Sequence, residues 1–146
     1  MDDKNIIIKV RGVVTLNNKL LIVKHVGTDF MALPGGHLKY GEDIITCLKR
    51  ELVEEFGILP EVGRLLYINT YIEDKTSKQH VEFFFEVKNG KDYLNIDGLE
   101  RTHAHELTEI LWISPDSDIK ILPVKFDEDF KNNKILEGET KFISEL

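Results

Sequence analysis

Hydrophobic residues in the first part of the chain form two pairs of runs that are typical of β-strands. Residues 6–16 and 19–26 are rich in β-branched and aliphatic side chains, and Asn17-Asn18 between them suits a two-residue hairpin turn. Residues 62–72 and 80–88 form a second pair, separated by a short polar segment. The pattern therefore predicts two β-hairpins.

Between the two hairpins, the spacing of the apolar residues changes to that of an amphipathic helix. Asp43 is a suitable N-cap residue, and Gly57 is a suitable residue just beyond the helix end. Between them, apolar residues recur at intervals of three, four and four, which places them on one helical face: Ile45, Leu48, Leu52 and Phe56. One helix is therefore predicted directly after a turn that contains Pro34, Gly35 and Gly36.

The last third of the chain predicts shorter elements. Residues 88–107 are expected to be mostly loop, residues 110–113 a short buried strand, and residues 140–144 an edge strand. The segment 116–133 is expected to contain a helix, because four apolar residues lie roughly in helical phase: Ile119, Leu122, Phe126 and Phe130. Periodicity alone thus predicts a mixed α and β protein.

Length and composition limit the class of protein. A chain of 146 residues with 42% hydrophobic residues fits one domain with a substantial core. The formal net charge of −7 argues against a long nucleic acid as the main partner, because such a partner usually binds a basic face. A single cysteine, Cys47, excludes an internal disulfide. Neither a signal peptide nor an apolar run of membrane-spanning length is evident, so we expect a cytoplasmic protein without a membrane contact.

Three acidic residues of the predicted helix share one side of it. Glu51, Glu54 and Glu55 occupy positions i, i+3 and i+4, so their carboxylates are neighbours. Like charges at these spacings destabilise a helix by about 0.2–0.5 kcal/mol per pair, and a bound cation removes that cost. Magnesium suits such a site because it prefers oxygen ligands from carboxylates and phosphates. The plainer interpretation is a solvated acidic helix in which Arg50 pairs with Glu54.

The spacing of these residues favours the metal site. Gly36 is followed after five residues by Glu42, and after seven more by the sequence Arg50-Glu51-Leu52-Val53-Glu54-Glu55-Phe56-Gly57-Ile58. Residues 36–58 therefore resemble the signature box of the Nudix hydrolases, the MutT-like pyrophosphohydrolases, with every specified position filled.

The resemblance implies a fold, a metal and residue roles. The fold would be an α/β/α sandwich with a mixed β-sheet, a single Nudix domain over residues 1–146, and the metal Mg²⁺, with Mn²⁺ as a substitute. Glu51, Glu54 and Arg50 would be catalytic, Glu51 serving as a metal ligand or as the general base. Arg50 would also pair with Glu42 to orient the helix, and Gly57 would support the site. The expected metal ligands are the Gly36 carbonyl, Glu51, Glu54, Glu55 and one later acid, with Glu106 preferred over Glu109.

The same resemblance implies a small nucleotide substrate, with a nucleoside diphosphate linked to another group as the general class. A nucleoside triphosphate, including an oxidised one, cleaved to the monophosphate and pyrophosphate is the leading expectation. ADP-ribose, another sugar nucleotide, and a module that binds nucleotides without catalysis are alternatives. The related isomerase of isopentenyl diphosphate needs a catalytic cysteine outside the box, and Cys47 lies inside it. Relatives often form homodimers, but no stretch of this sequence requires one.

Other candidate residues have ordinary structural explanations. His37 and Lys39 lie at unspecified box positions and could reach phosphate oxygens, and His103 with His105 makes only a weak metal pair. Aromatic residues alternate on the two strands of the second hairpin, where core packing is the usual role and base stacking the alternative: Tyr67, Tyr71, Phe83 and Phe85. The sequence alone assigns no substrate-binding residue.

Overall fold

A mixed β-sheet lies at the centre of the computed structural model, which describes residues 5–73, 77–96 and 107–146. Within these residues the elements are β1 (Asn5–Leu16), β2 (Lys19–His25), β3 (Gly35–His37), α1 (Ile44–Phe56), β4 (Val62–Glu73), β5 (Lys78–Val87), a short 3₁₀ helix (Gly90–Tyr93), β6 (Leu107–Ile113), α2 (Val124–Lys131) and β7 (Lys141–Ser144). None of the helices in this described part of the chain is long and apolar enough to cross a membrane.

The sheet contains both parallel and antiparallel strand pairs. The described strands follow the order β6-β2-β1-β5-β4-β7, and β3 pairs with β1 beside this path. The β1–β2 and β4–β5 pairs are antiparallel, so both predicted hairpins are confirmed. The β1–β5 and β4–β7 pairs are parallel. The long parallel pairing of β1 with β5 joins the two hairpins into one sheet.

The two helices cover opposite faces of the sheet. Successive residues of a strand point to opposite faces, and both β1 and β2 carry apolar residues on both. Val10, Val14 and Leu21 pack in one cluster with Leu48 and Leu52 of α1. The alternate positions pack on the other side with α2: Val13, Leu20, Ile22, Phe126 and Phe130. The predicted α/β/α sandwich is therefore confirmed.

Helix α1 begins and ends at the expected residues. The Asp43 carboxylate accepts a hydrogen bond from the Thr46 backbone N–H at 2.8 Å, which is a standard N-cap. Gly57 adopts the left-handed conformation with φ of 76°, and its N–H donates to the Val53 carbonyl oxygen. The helix that carries the box acids is thus fixed at both ends.

We expect Gly57→Ala to lower the free energy of unfolding by about 1–2 kcal/mol, because a β-carbon disfavours the left-handed conformation. Urea unfolding followed by circular dichroism measures this change. Gly57→Asn is the control, since asparagine tolerates this conformation, and it should cost clearly less. Equal losses for both variants would contradict the assignment of the cost to backbone conformation.

Three sequence predictions need correction. Gly35 and Gly36, expected to lie in a turn, belong with His37 to β3, because Gly36 pairs with Val10 of β1 although glycine has low strand propensity. Helix α2 begins at Val124, so Ile119 and Leu122 both lie before it, and Leu122 is exposed. The reason is Pro123, which disfavours helical geometry in the residue before it. Strand β6 begins at Leu107, earlier than predicted, because it pairs with β2, and only Ile113 of this strand is buried, because β6 lies at an edge of the described sheet.

Candidate active site

A cavity of about 430 Å³ lies beside α1, and seven of its lining residues belong to the box; we call it the box cavity. The four described residues that were expected to hold a metal all line it: Gly36, Glu51, Glu54 and Glu55. Lys9, Lys39 and Arg50 line it as well, together with His25 and His37. One compartment therefore contains both a group of carboxylates and several cationic side chains.

Arg50 connects the acids of this cavity to each other and to the preceding loop. Its guanidinium binds both oxygens of Glu42, with Nε at 2.6 Å and Nη2 at 3.0 Å. The Nη1 atom donates to Glu51 at 3.0 Å and to Glu54 at 3.3 Å, and Nη2 donates to the His37 carbonyl oxygen at 3.0 Å. The two-pronged bond from Arg50 lowers the pKa of Glu42 to about 2. The expected Glu42–Arg50 pair is therefore present and ties the loop to α1.

Glu55 and Glu51 lie where a negative charge is poorly solvated. The Glu55 side chain is 1% exposed, and burial raises its pKa, although His25 Nε2 opposes this effect from 3.4 Å. Burial also raises the pKa of Glu51, and the nearby charge of Glu55 adds to that effect. A cation placed among these carboxylates would stabilise their charged forms.

The donor set of the cavity fits a hard divalent cation, because it consists of carboxylate oxygens. Across residues 5–73, 77–96 and 107–146, however, no three His, Cys, Asp or Glu side chains are grouped so that they could hold a metal ion. Arg50 bonds to both Glu51 and Glu54 in this arrangement. Metal binding would therefore require these two carboxylates to turn from Arg50 toward the ion.

Two adjacent glycines bring β3 close to this group. Gly35 has φ of 136°, and a β-carbon there would lie 2.0 Å from the Val10 carbonyl oxygen. At Gly36 a β-carbon would instead lie 2.6 Å from the carboxylate of Glu51, which is the mobile end of a side chain. Gly35 is thus required because a side chain there would collide with the backbone of β1, and Gly36 leaves room for the carboxylate of Glu51.

We expect Gly36→Ala to leave the fold intact and to lower hydrolytic activity at least tenfold, because the new methyl group displaces the Glu51 carboxylate. Steady-state rates with circular dichroism test this result. Gly35→Ala is the matched comparison and should impair folding itself, since its methyl group meets backbone rather than a side chain. Full activity in folded Gly36→Ala would show that the closeness of Gly36 and Glu51 has no role in catalysis.

A second cavity, of about 520 Å³, adjoins the first, and we call it the sheet cavity. Asn69 and Tyr71 of β4 line it, as do His80 and Glu82 of β5. The two cavities share five lining residues, which makes them parts of one cleft: Lys9, Arg11, Thr28, Phe30 and Ala32.

A buried ion pair lies at the cleft: Arg11 lines both cavities, and Glu82 lines the sheet cavity. Arg11 Nε donates to Glu82 at 3.1 Å, and the side chains are only 10% and 9% exposed. Arg11 Nη1 also lies 3.2 Å from the carbonyl oxygen of Leu33 and 3.5 Å from that of Gly35, so it holds the turn before the box. Asn69 donates to the second oxygen of Glu82 at 3.0 Å.

Sequence reasoning did not identify Lys9, Arg11, Asn69 or Glu82. One signal was available, since Lys9 and Arg11 interrupt a run of aliphatic residues at positions two apart and therefore share one face of β1. Their partners could not be found in this way, because the parallel register that places Lys9 opposite Glu82 depends on the fold.

The remaining candidates are distributed over the molecule. His37 and Lys39, which were considered as possible phosphate contacts, line the box cavity. Cys47 is buried. The four alternating aromatic residues do not share one face. Tyr67 is packed in the core beside α2, Tyr71 lines the sheet cavity, and two pack against the core beside α1: Phe83 and Phe85.

The later acid expected among the metal ligands was Glu106, with Glu109 as the second choice. Glu106, His103 and His105 lie outside the described residues. Glu109 is exposed on β6 opposite Lys24 and is not among the described residues that line the box cavity.

Comparison with known proteins finds a matching family model and similar proteins. The model of the NUDIX domain matches residues 8–131. An ADP-ribose pyrophosphatase from Methanocaldococcus jannaschii is 34% identical over 77 residues, which are 51% of this chain and 45% of that protein. A MutT-like protein from Streptomyces ambofaciens is 33% identical over 110 residues, covering 75% of this chain and 64% of that protein. The matched regions thus span less than two thirds of either relative.

Solved structures agree on the fold. A NUDIX hydrolase from Nitrosomonas europaea superposes with a TM-score of 0.69 at 22% identity, covering 91% of this chain and 97% of that one. The family model covers most of the chain and includes the box from Gly36 to Ile58. The chain therefore belongs to the Nudix family.

Proposed function

We propose that the protein is a magnesium-dependent hydrolase that cleaves a phosphoanhydride bond in a nucleoside diphosphate derivative. The observation that carries this proposal is the continuity of the two cavities: the acids of the box line one, and a second compartment large enough for a nucleoside adjoins it. Family membership supports the same reaction class, because Nudix hydrolases generally use divalent metals.

In this proposal the box cavity holds the metal and the phosphates. Glu54, Glu55 and the Gly36 carbonyl would be metal ligands, and Glu51 would be a further ligand or the general base. Bound Mg²⁺, which Mn²⁺ could replace, would neutralise phosphate charge and help to activate water. Arg50, held by Glu42, would keep the acidic side of α1 turned toward the cavity.

The chain's own residues would carry out the remaining tasks. Lys9 and Lys39 line the box cavity and would contact phosphate oxygens as point charges. Burial and the neighbouring Glu55 raise the pKa of Glu51, which makes Glu51 a stronger base than an exposed carboxylate. In the base role, Glu51 would accept a proton from the attacking water. The oxygen of that water would form a bond to phosphorus as the bridging P–O bond breaks.

A nucleoside triphosphate, converted to the monophosphate and pyrophosphate, is the proposed substrate. The relative from Methanocaldococcus jannaschii, described as an ADP-ribose pyrophosphatase, favours ADP-ribose as a second candidate. In both cases the nucleoside would occupy the sheet cavity, and the bond to be cleaved would lie beside the box acids.

A panel of nucleotides incubated with magnesium tests the proposal. It contains canonical and oxidised triphosphates, ADP-ribose, dinucleoside polyphosphates and NADH, and chromatography identifies the products. We expect triphosphates to yield monophosphate and pyrophosphate, and a chelator to stop the reaction. Preferred cleavage of ADP-ribose would support the second candidate. If the folded protein binds nucleotides in the presence of magnesium but cleaves none of them, it is a binding module instead.

A further inference from the structure

The two cavities differ in the chemistry of their walls. The box cavity contains three glutamates, but it also adds Lys39, Arg50 and two histidines to the shared Lys9 and Arg11, so its lysines and arginines outnumber its carboxylates. The described residues that line the sheet cavity include no further lysine or arginine. They add four carboxylates instead: Asp29, Glu73, Glu82 and Glu145. Phosphates are therefore favoured in the box cavity, and the sheet cavity favours an uncharged group rich in N–H donors.

Hydrogen bonds within the protein strengthen this difference. Arg11 is already bonded to Glu82 and lies close to the carbonyl oxygens of Leu33 and Gly35. Asn69 must turn its amide NH₂ toward Glu82, because an ionised carboxylate only accepts hydrogen bonds. The Asn69 carbonyl oxygen is then left as an acceptor, and it has no hydrogen-bond partner among the described residues.

Three of these carboxylates also act on Tyr71, which lines the same cavity. Burial, followed by the charge of Glu82 and smaller contributions from Glu73 and Glu145, raises the pKa of Tyr71 to about 12, although Arg11 opposes this effect. The tyrosine ring stacks on His80 with a centroid distance of 4.6 Å. Several carboxylates therefore act together on one region of the sheet cavity.

Among the common bases, guanine matches such a wall best. Its N1–H and 2-amino groups are adjacent donors, and one carboxylate can accept from both. Adenine and cytosine place a ring-nitrogen acceptor beside their amino group, and uracil places carbonyl oxygens on both sides of its N–H. A carboxylate near these acceptors is repelled.

We infer that the sheet cavity binds guanine, with carboxylates of Glu145 and Glu73 accepting from its N–H groups, so that guanine nucleotides are the substrate class. Phe30, Leu122 and Pro123 supply apolar surface for the faces of the base. This inference rests on the proposed function, because it assigns a substrate class to the same cleft.

Binding of nucleoside monophosphates tests the inference separately from hydrolysis. We expect isothermal titration calorimetry without added metal to show GMP binding about 10- to 100-fold tighter than AMP, CMP or UMP. IMP, which lacks the 2-amino group, should fall between GMP and AMP. Glu73→Gln combined with Glu145→Gln should narrow the preference at least fivefold, and Glu128→Gln, an exposed acid on α2, should leave it unchanged.

The results distinguish this inference from the proposed function. A preference for GMP without hydrolysis of GTP would support the guanine site and contradict the hydrolase. Equal binding of the four monophosphates, tighter binding of AMP, or no binding of any at millimolar concentration would overturn the guanine site. Hydrolysis of triphosphates without regard to the base would likewise overturn it, while leaving the hydrolase intact.

Discussion

Replacing Glu54 with glutamine is expected to abolish hydrolysis and to leave the fold unchanged. The substitution keeps the size of the side chain but removes the negative charge that would bind the metal. We expect a rate loss of at least about 10³-fold, which corresponds to roughly 4 kcal/mol of transition-state stabilisation. Stability should change little, because the Glu54 side chain is 21% exposed and Arg50 keeps its bonds to Glu42.

The measurement compares initial rates for wild type and Glu54→Gln on the preferred substrate of the panel, with thermal unfolding to check the fold. Glu128→Gln is the matched control, since it removes one acid from the exposed side of α2. Retention of the wild-type rate by folded Glu54→Gln would remove Glu54 from the proposed metal ligands. A loss of activity in both variants would indicate that overall charge, rather than this position, is responsible.

The sequence predicted the features that depend on local spacing. Helix α1 and its caps follow from Asp43, Gly57 and the period of the apolar residues, and the common location of Glu51 and Glu54 follows from helical geometry. These inferences succeeded because a helix fixes the relative positions of residues three and four apart.

The features that depend on strand pairing were not predicted. Strand β3 forms only because β1 provides a partner for Gly36, and no local propensity indicates it. The sheet cavity is a stronger case, because Asn69 lies opposite Glu82 only in the register of β4 with β5, and Arg11 reaches Glu82 only in the register of β1 with β5. Pairing of strands distant in sequence therefore builds the part of the cleft that would select the substrate.

The second large effect is expected for Arg11→Met, which should lower the free energy of unfolding by about 3–5 kcal/mol. The substitution preserves much of the apolar volume but leaves Glu82 buried without its cationic partner. It also removes the donor that lies beside the carbonyl oxygens of Leu33 and Gly35. Urea unfolding, followed by circular dichroism and by tryptophan fluorescence, measures the loss.

Arg11→Met combined with Glu82→Gln separates the effect of the unpaired Glu82 charge from the effect of the lost bonds to the turn. Glutamine carries no charge and still offers Asn69 an acceptor, so the double variant should recover much of the lost stability if the unpaired charge of Glu82 dominates. Hydrolytic activity should be low in Arg11→Met and should stay low in the double variant, because in both the turn that leads to Gly36 lacks its bonds to Arg11. An additive loss of stability would show that Arg11 stabilises the protein through the turn rather than through Glu82. Full activity of the stable double variant would show that the turn before the box keeps its position without Arg11.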